Sequence, residues 1–310
     1  MPDEPPYGII ADAFEKGDVI PFLGAGVNAG TRNPPGAPWH EKAPFLPRGT
    51  ELSVYLADQC QFPSEHDYER RDLAKVAAYY VDSSDPESLL DDLHSVFDSD
   101  YVPCGIHGYL AGLPQLRLII TTNYDDLLEQ AFRKAKRSYF LVIHSTNSEI
   151  YRASVLCWKY DAEKHDAVYD PEPLHPGDLA GFIDSDTTTI IYKMHGTVDR
   201  SQSKRDSYVI TEDDYVEFLS RMATKTAVPS LFIQYFQGRR ILFLGYGLGD
   251  WNLRLVLRDF LKRRSWAIQF NPSPFEKSLW RNRDVKIYDM DIDEFVERLR
   301  AHGNRTTNPK

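Results

Sequence analysis

The chain has 310 residues, 42% of them hydrophobic, and a formal net charge of −10, enough for one large domain or two modest ones with a sizeable core. Its acidity argues against gripping nucleic acid, no apolar run is long enough to span a membrane, and the acidic start Met1-Pro2-Asp3-Glu4 is unlike a secretory signal. Cys60, Cys104 and Cys157 form no C-x-x-C pair, which excludes a Cys-rich structural zinc site and favours an intracellular, cytoplasmic compartment.

In chain order, strand-like and helical patterns alternate. That predicts an α/β fold of Rossmann type, a mainly parallel sheet flanked by helices. Asp18–Leu23 reads as the first strand, opening into the glycine-rich turn Gly24-Ala25-Gly26-Val27-Asn28-Ala29-Gly30. The strand signal then vanishes until Leu116. A Pro-rich loop, Asn33-Pro34-Pro35-Gly36-Ala37-Pro38, leads into helical segments near Glu51–Cys60, Tyr68–Tyr80 and Pro86–Phe97. Residues 31–115 therefore read as a helical module inserted after the first strand. Strands resume at Leu116–Thr121, Ser138–Ile143, Thr188–Met194, Arg240–Leu244, Ser265–Phe270 and Val285–Tyr288. Helices are placed at Asp125–Lys136, Glu212–Met222 (capped by Thr211), Asp250–Leu261 and Ile292–Ala301. A polar, acidic stretch at residues 160–186 lacks regular pattern and reads as a lid, an interface or a loop. The basic clusters at residues 133–137 and 262–264 end predicted helices, where cations meet the helix dipole, and are assigned no ligand.

In an open α/β sheet, ligands bind beyond the carboxyl ends of the strands. Ile119-Ile120-Thr121-Thr122-Asn123-Tyr124-Asp125 ends in an amide and a carboxylate two residues apart, and Ile190-Ile191-Tyr192-Lys193-Met194-His195-Gly196 in an imidazole beside a glycine. Asn123 can hold a water and a hydroxyl together, and His195, titrating near neutrality, can take a proton. Each also has a plain structural reading: Asn123 as a cap of the next helix, Asp125 as a complement to its dipole, His195 as a satisfied core histidine. The other eight of the nine histidines lack partners at meaningful spacing, and no metal-binding pattern occurs. The first glycine loop is G-x-G-x-x-x-G, one residue off the dinucleotide fingerprint, and is weak alone. A second, Gly245-Tyr246-Gly247-Leu248-Gly249-Asp250, again follows a buried strand and precedes a helix that Asp250 can cap. Two such loops with two polar strand ends point to a dinucleotide, whose phosphate or ribose the glycines would let close to backbone.

Gly24-Ala25-Gly26, Thr121-Thr122-Asn123-Tyr124-Asp125, His195-Gly196 and Gly245-Tyr246-Gly247, in this order, resemble the sirtuin-type NAD-binding domain. The bacterial sirtuin-like branch is closer still, by residues 193–199, 208–215 and 243–250. The resemblance runs from about Asp18 to Leu299 and implies a single sirtuin-like domain over residues 1–310. It implies NAD as substrate, held by Gly24, Ala25, Gly26, Asn28, Thr121, Asp125, Gly245, Gly247 and Asp250. Asn123 and His195 would be catalytic, and Asp125 would bond the nicotinamide carboxamide. Two departures stand out. The four-cysteine zinc ribbon of deacetylating sirtuins cannot be built from three cysteines, which argues against deacetylation and for a metal-free site. Asn28 stands where the family has Ser, and its amide can make a hydroxyl's bonds.

In this branch the implied activity is NAD+ hydrolysis to nicotinamide and ADP-ribose, commonly as the NAD-depleting effector of bacterial antiphage defence. The alternatives are a non-catalytic NAD or ADP-ribose sensor regulating a partner, and a zinc-free protein deacylase. The resemblance further implies a homo-oligomer beside a partner such as a HerA-type ATPase or a short Argonaute protein. Residues 51–97 and 160–186 offer contact surfaces for it, or else lid the cleft of a monomer.

Overall fold

The computed structural model describes residues 3–34, 36–146, 155–164, 171–183, 188–223, 229–248 and 263–306. Its strands are β1 (Val19–Leu23), β2 (Leu118–Thr121), β3 (Tyr139–His144), β4 (Val155–Tyr160), β5 (Glu172–Leu174) and β6 (Thr189–Lys193). After them come the short pair β7 (Gly196–Thr197) and β8 (Ser207–Tyr208), then β9 (Arg240–Leu244), β10 (Ser265–Gln269) and β11 (Val285–Asp289). Nine strands form one sheet in the order β11-β10-β9-β1-β2-β6-β3-β4-β5. All neighbouring pairs are parallel except β3–β4 and β4–β5, so that β4 alone runs against the rest near one edge. This is the Rossmann-like α/β sheet that the alternating pattern predicts.

The central strands are continuous apolar runs because helices cover both faces. Every residue of β1 is buried. Pro21 has no amide hydrogen and would be out of place in most central strands. Here pairing with β2 begins only at Phe22, one residue beyond it, while β9 pairs along the full length of β1. One face packs on helices Glu212–Ala223, Ser230–Phe236 and Pro274–Arg281 through Phe218, Phe232 and Trp280. The other packs on Tyr7–Glu15, Gly105–Ala111, Leu127–Lys134 and Ile292–Thr306 through Phe14, Ile106, Phe132 and Phe295. Each fully buried phenylalanine contributes about 1.5–3 kcal/mol of transfer free energy, so both faces hold the sheet firmly.

Between β1 and β2 the described chain is helical: Gly49–Gln59, Leu73–Ser83 and Pro86–Phe97 form a separate apolar cluster that also takes in Tyr124, Leu127 and Tyr208. The expected single helix Tyr68–Tyr80 is two, Asp67–Arg70 and Leu73–Ser83, because the Asp72 carboxylate accepts the Lys75 amide (3.4 Å) and starts a new helix. Buried Arg32 closes the preceding loop by a two-pronged pair with Glu51 (2.5 and 2.8 Å) and a bond to the Leu46 carbonyl (3.1 Å). Burial pushes the Glu51 carboxyl up, but the Arg32 guanidinium and two backbone amides outweigh it and hold it at about 2.

The stretch at 160–186 is more regular than its composition suggests. It carries β5 and a short helix, Leu179–Phe182, whose Leu179 is buried in the core. The expected helix Asp250–Leu261 lies outside the described residues.

Strand order places the site. β1 lies between β9 and β2: the chain first winds away from β1 through β2 and later crosses back to β9 on its other side, so a crevice opens at the carboxyl ends of these strands.

Candidate active site

At that crevice the two glycine loops pack on each other. The Gly24 amide donates to the Leu244 carbonyl (3.0 Å) and the Gly26 amide to the Gly245 carbonyl (2.9 Å). Gly245 has φ +59°, and a Cβ there would lie 2.3 Å from the Val27 nitrogen; a Cβ on Gly26 would lie 2.5 Å from the Gly245 oxygen. The spacing of these glycines thus has a cause within the fold, beyond any approach to phosphate. Gly247 differs: among the described residues none lies within 4 Å of where its Cβ would be. Buried Trp280 ties down the far end of this loop, its indole donating to the Leu248 carbonyl (2.8 Å).

The β2 end is equally constrained. Thr121 Oγ1 donates to the Leu23 carbonyl (3.4 Å) and accepts the Asn123 amide (3.0 Å). Asn123 Nδ2 donates to the Gly24 carbonyl (3.3 Å), so its side chain crosses to the first glycine loop rather than capping the next helix. Asp125 divides its carboxylate. Oδ1 accepts the Leu127 amide (3.1 Å) at the helix start, while Oδ2 accepts Asn28 Nδ2 (3.0 Å). One oxygen thus satisfies an amide at the helix start, ahead of the N-cap residue Asp126, and the other holds Asn28. The other amide atom of Asn28, Oδ1, is buried with no hydrogen-bond partner among the described residues. Burial pushes the Asp125 carboxyl above the usual carboxylate range, against the pull of the Lys193 ammonium and its bonds to Leu127 and Asn28.

His195 follows β6. Its carbonyl accepts the Val209 amide (2.8 Å), and its ring meets Tyr215 and Phe218 edge-on, at centroid distances of 5.4 and 5.8 Å. The next residue must be glycine: Gly196 has φ +93°, and a Cβ there would overlap the Ser207 carbonyl at 1.9 Å. That close approach lets β7 and β8 pair and turns the chain sharply away behind the imidazole.

These groups converge on one cavity of about 150 Å³, lined by Ala25, Asn28, Thr122, Asn123, Tyr124, Asp125, His195, Tyr215 and Tyr246. Leu46, Pro47, Gly49, Leu52, Leu73 and Phe97 complete it as an apolar wall. The cleft is open to solvent on one side, and a volume of about 150 Å³ accommodates one benzene-sized ring. Of the residues named from sequence, Asn123, His195, Asp125, Asn28 and Ala25 share this cavity. Thr121 is not among its lining residues, and Thr122 is; Thr121 instead holds the β1 and β2 ends together. Gly24, Gly26 and Gly245 form the loop junction beside it. Asp250 lies outside the described residues.

The sequence reading passed over the residues behind the cavity. Lys193 is fully buried and pairs with buried Glu129 (Nζ to Oε1, 2.7 Å). Its signal was legible: a lysine inside an apolar strand must be paired, because an isolated buried charge is too costly. The apolar wall was not legible, since its helices reach the site only through tertiary packing.

The SIR2-like domain family matches residues 117–288. Defense-associated sirtuin 2 of Bacillus subtilis is 22% identical over 289 residues, covering 90% of this chain and 24% of that protein. The NAD(+) hydrolase ThsA of Enterococcus faecium is 24% identical over 270 residues, covering 85% of this chain and 43% of that protein. The chain thus spans less than half the length of either relative. Two solved Sir2 structures align over nearly the full length: one covers 98% of this chain and 99% of its own, at 10% identity and a TM-score of 0.45. The other, a Sir2 mutant with a p53 peptide and NAD, covers 96% and 98% at 12% identity and a TM-score of 0.37.

Proposed function

Since the chain belongs to the SIR2-like domain family, we propose that it is an NAD+ hydrolase whose site is the cavity at the carboxyl ends of β1, β2 and β6. The observation that carries this reading is the meeting of Asn123, Asp125, His195 and Asn28 around a space sized for one aromatic ring. The NAD-hydrolase and defence names of the two relatives support it. In the cell, the reading makes the protein the NAD-depleting effector of antiphage defence.

In this reading the nicotinamide ring enters the cavity, with its carboxamide at Asp125 and Asn28. Ala25 and the loops bearing Gly24, Gly26, Gly245 and Gly247 face the rest of the dinucleotide, with Thr121 holding the β1 and β2 ends together behind them. The bond from ribose C1′ to the pyridinium nitrogen breaks, and both its electrons go to the nitrogen. Nicotinamide leaves neutral and needs no general acid. A water held by Asn123 attacks C1′ and gives its proton to His195, yielding ADP-ribose. Incubating the purified protein with NAD+, with and without an acylated peptide, tests this. Nicotinamide should be released without the peptide. Release that requires it would indicate a deacylase, and NAD binding without release a sensor.

A pyridinium leaving group has no use for a Lewis acid, and the described residues hold no group of three or more His, Cys, Asp or Glu able to bind a metal. EDTA treatment is therefore expected to leave turnover unchanged; activity lost to chelation and restored by zinc or magnesium would contradict the scheme.

An unregulated NAD hydrolase would exhaust its own cell, so the activity needs a gate. We take this to be assembly: a cytoplasmic homo-oligomer, modulated by a partner of the HerA-ATPase or short-Argonaute kind. Among the described residues no helix is long and apolar enough to cross a membrane. Light scattering over a concentration series should show an oligomer with turnover that follows assembly. A monodisperse monomer with full, concentration-independent activity would refute the gate.

A further inference from the structure

We propose that Lys193 is a positioning residue: buried against Glu129, it clamps the Asp125 backbone to the segment bearing His195 and so registers the two halves of the site. The inference rests on the NAD-hydrolase reading and deepens it. Lys193 Nζ donates to the Asp125 carbonyl (2.6 Å), to Thr197 Oγ1 (2.7 Å) and more weakly to the Tyr124 carbonyl (3.3 Å), while Glu129 Oε1 lies 2.7 Å away. These contacts join the exit of β2, the exit of β6 and helix Leu127–Lys134. The Val198 amide donates to the same Tyr124 carbonyl (3.0 Å). The ammonium thus sits two residues before His195 in the chain and directly behind Asp125, whose other side faces the cavity.

A lysine so placed does more than fill space. A methionine of similar length would fill the core without the cost of burying an ion pair, which rarely stabilises a fold more than apolar residues of the same volume do. What the charge adds is direction. Three N–H groups on one atom fix two carbonyls and a hydroxyl together, and the charge favours the carboxylate form of Asp125. The charged and titratable groups around Asp125 are Asp126 beside it, Glu129 on the helix, Lys193 on β6, Tyr101 and Cys104 from the chain ahead of β2, and His195 across the cavity. Burial pushes Asp125 and Glu129 upward and Lys193 opposes it at both. Removing the lysine charge should make Asp125 easier to protonate; removing the Glu129 charge should do the reverse.

The test compares Lys193→Met, Glu129→Gln and the double variant with the parent protein, reading melting temperature and the pH dependence of kcat/KM for NAD+. Lys193→Met should lose about a hundredfold in kcat/KM, as expected for a misplaced reacting geometry, with its acid limb moved to higher pH. Glu129→Gln should move that limb to lower pH. The double variant, free of an unpaired buried charge, should recover part of the melting temperature lost in Lys193→Met without regaining its turnover. A folded double variant with parental kcat/KM and pH profile would overturn the proposal while leaving the hydrolase reading intact, as would an acid limb unmoved by Glu129→Gln. A parent protein that releases no nicotinamide would overturn the hydrolase reading, and the positioning role with it.

Discussion

Asn123→Ala is expected to cut nicotinamide release by about 10²–10³-fold and His195→Ala by about 10²–10⁴-fold, with both proteins still folded. The two effects separate because of their size. Losing a donor aimed at the reacting centre raises the barrier by about 2.7–4 kcal/mol. The only side-chain bond described for Asn123, 3.3 Å to the Gly24 carbonyl, is worth about 0.5–1.5 kcal/mol to the fold. His195 packs edge-on against Tyr215 and Phe218, so its removal should cost more stability than that of Asn123, and His195→Gln is the gentler companion. Steady-state kinetics beside circular dichroism and a melting curve decides the matter. Near-parental activity in both folded variants would show that the chemistry lies elsewhere.

Gly245→Ala is expected to destabilise the protein by about 2–5 kcal/mol, the sum of a left-handed backbone and an overpacked contact. Its new methyl would lie 2.3 Å from the Val27 nitrogen and 2.4 Å from the Gly26 carbon, both backbone atoms that cannot rotate away. Gly26→Val should behave alike, so weakened NAD binding in that variant would report loop collapse as much as lost phosphate contact. Gly247→Ala is the informative contrast, because no described residue lies within 4 Å of its added carbon. It should leave the melting temperature almost unchanged and weaken NAD binding if ligand approaches this backbone. A Gly245→Ala protein as stable as the parent would mean that the two loops do not pack as described.

How much of this was legible in the sequence depends on whether the signal was local. The central strands announce themselves as apolar runs, and Arg240–Leu244 was placed to the residue. The edge was missed: β4, Val-Leu-Cys-Trp-Lys-Tyr, is a short apolar run whose length and composition do not distinguish strand from helix until it pairs with β3. Helices Tyr7–Glu15 and Pro274–Arg281 were also missed. The second has a full capping box at Ser273 and Glu276 that was readable beforehand. At the site, Asn123, Asp125 and His195 could be named because strand ends are where α/β sheets bind ligands. Their mutual support could not, since Asn28 to Asp125 spans 97 residues and Lys193 to the Asp125 carbonyl spans 68. The glycines were read correctly as special but for an incomplete reason. Much of their need comes from each other.

The central claim is that water cleaves NAD+ in this cavity without a second substrate. Mass spectrometry of the products formed in ¹⁸O-labelled water tests it most directly, across protein concentrations and with Asn123→Ala alongside. The account predicts nicotinamide and ADP-ribose in equal amounts, one ¹⁸O on each ADP-ribose and none on nicotinamide, with both products lost in the variant. Intact NAD+ at every concentration, or an O-acyl-ADP-ribose formed only when an acylated peptide is present, would contradict it.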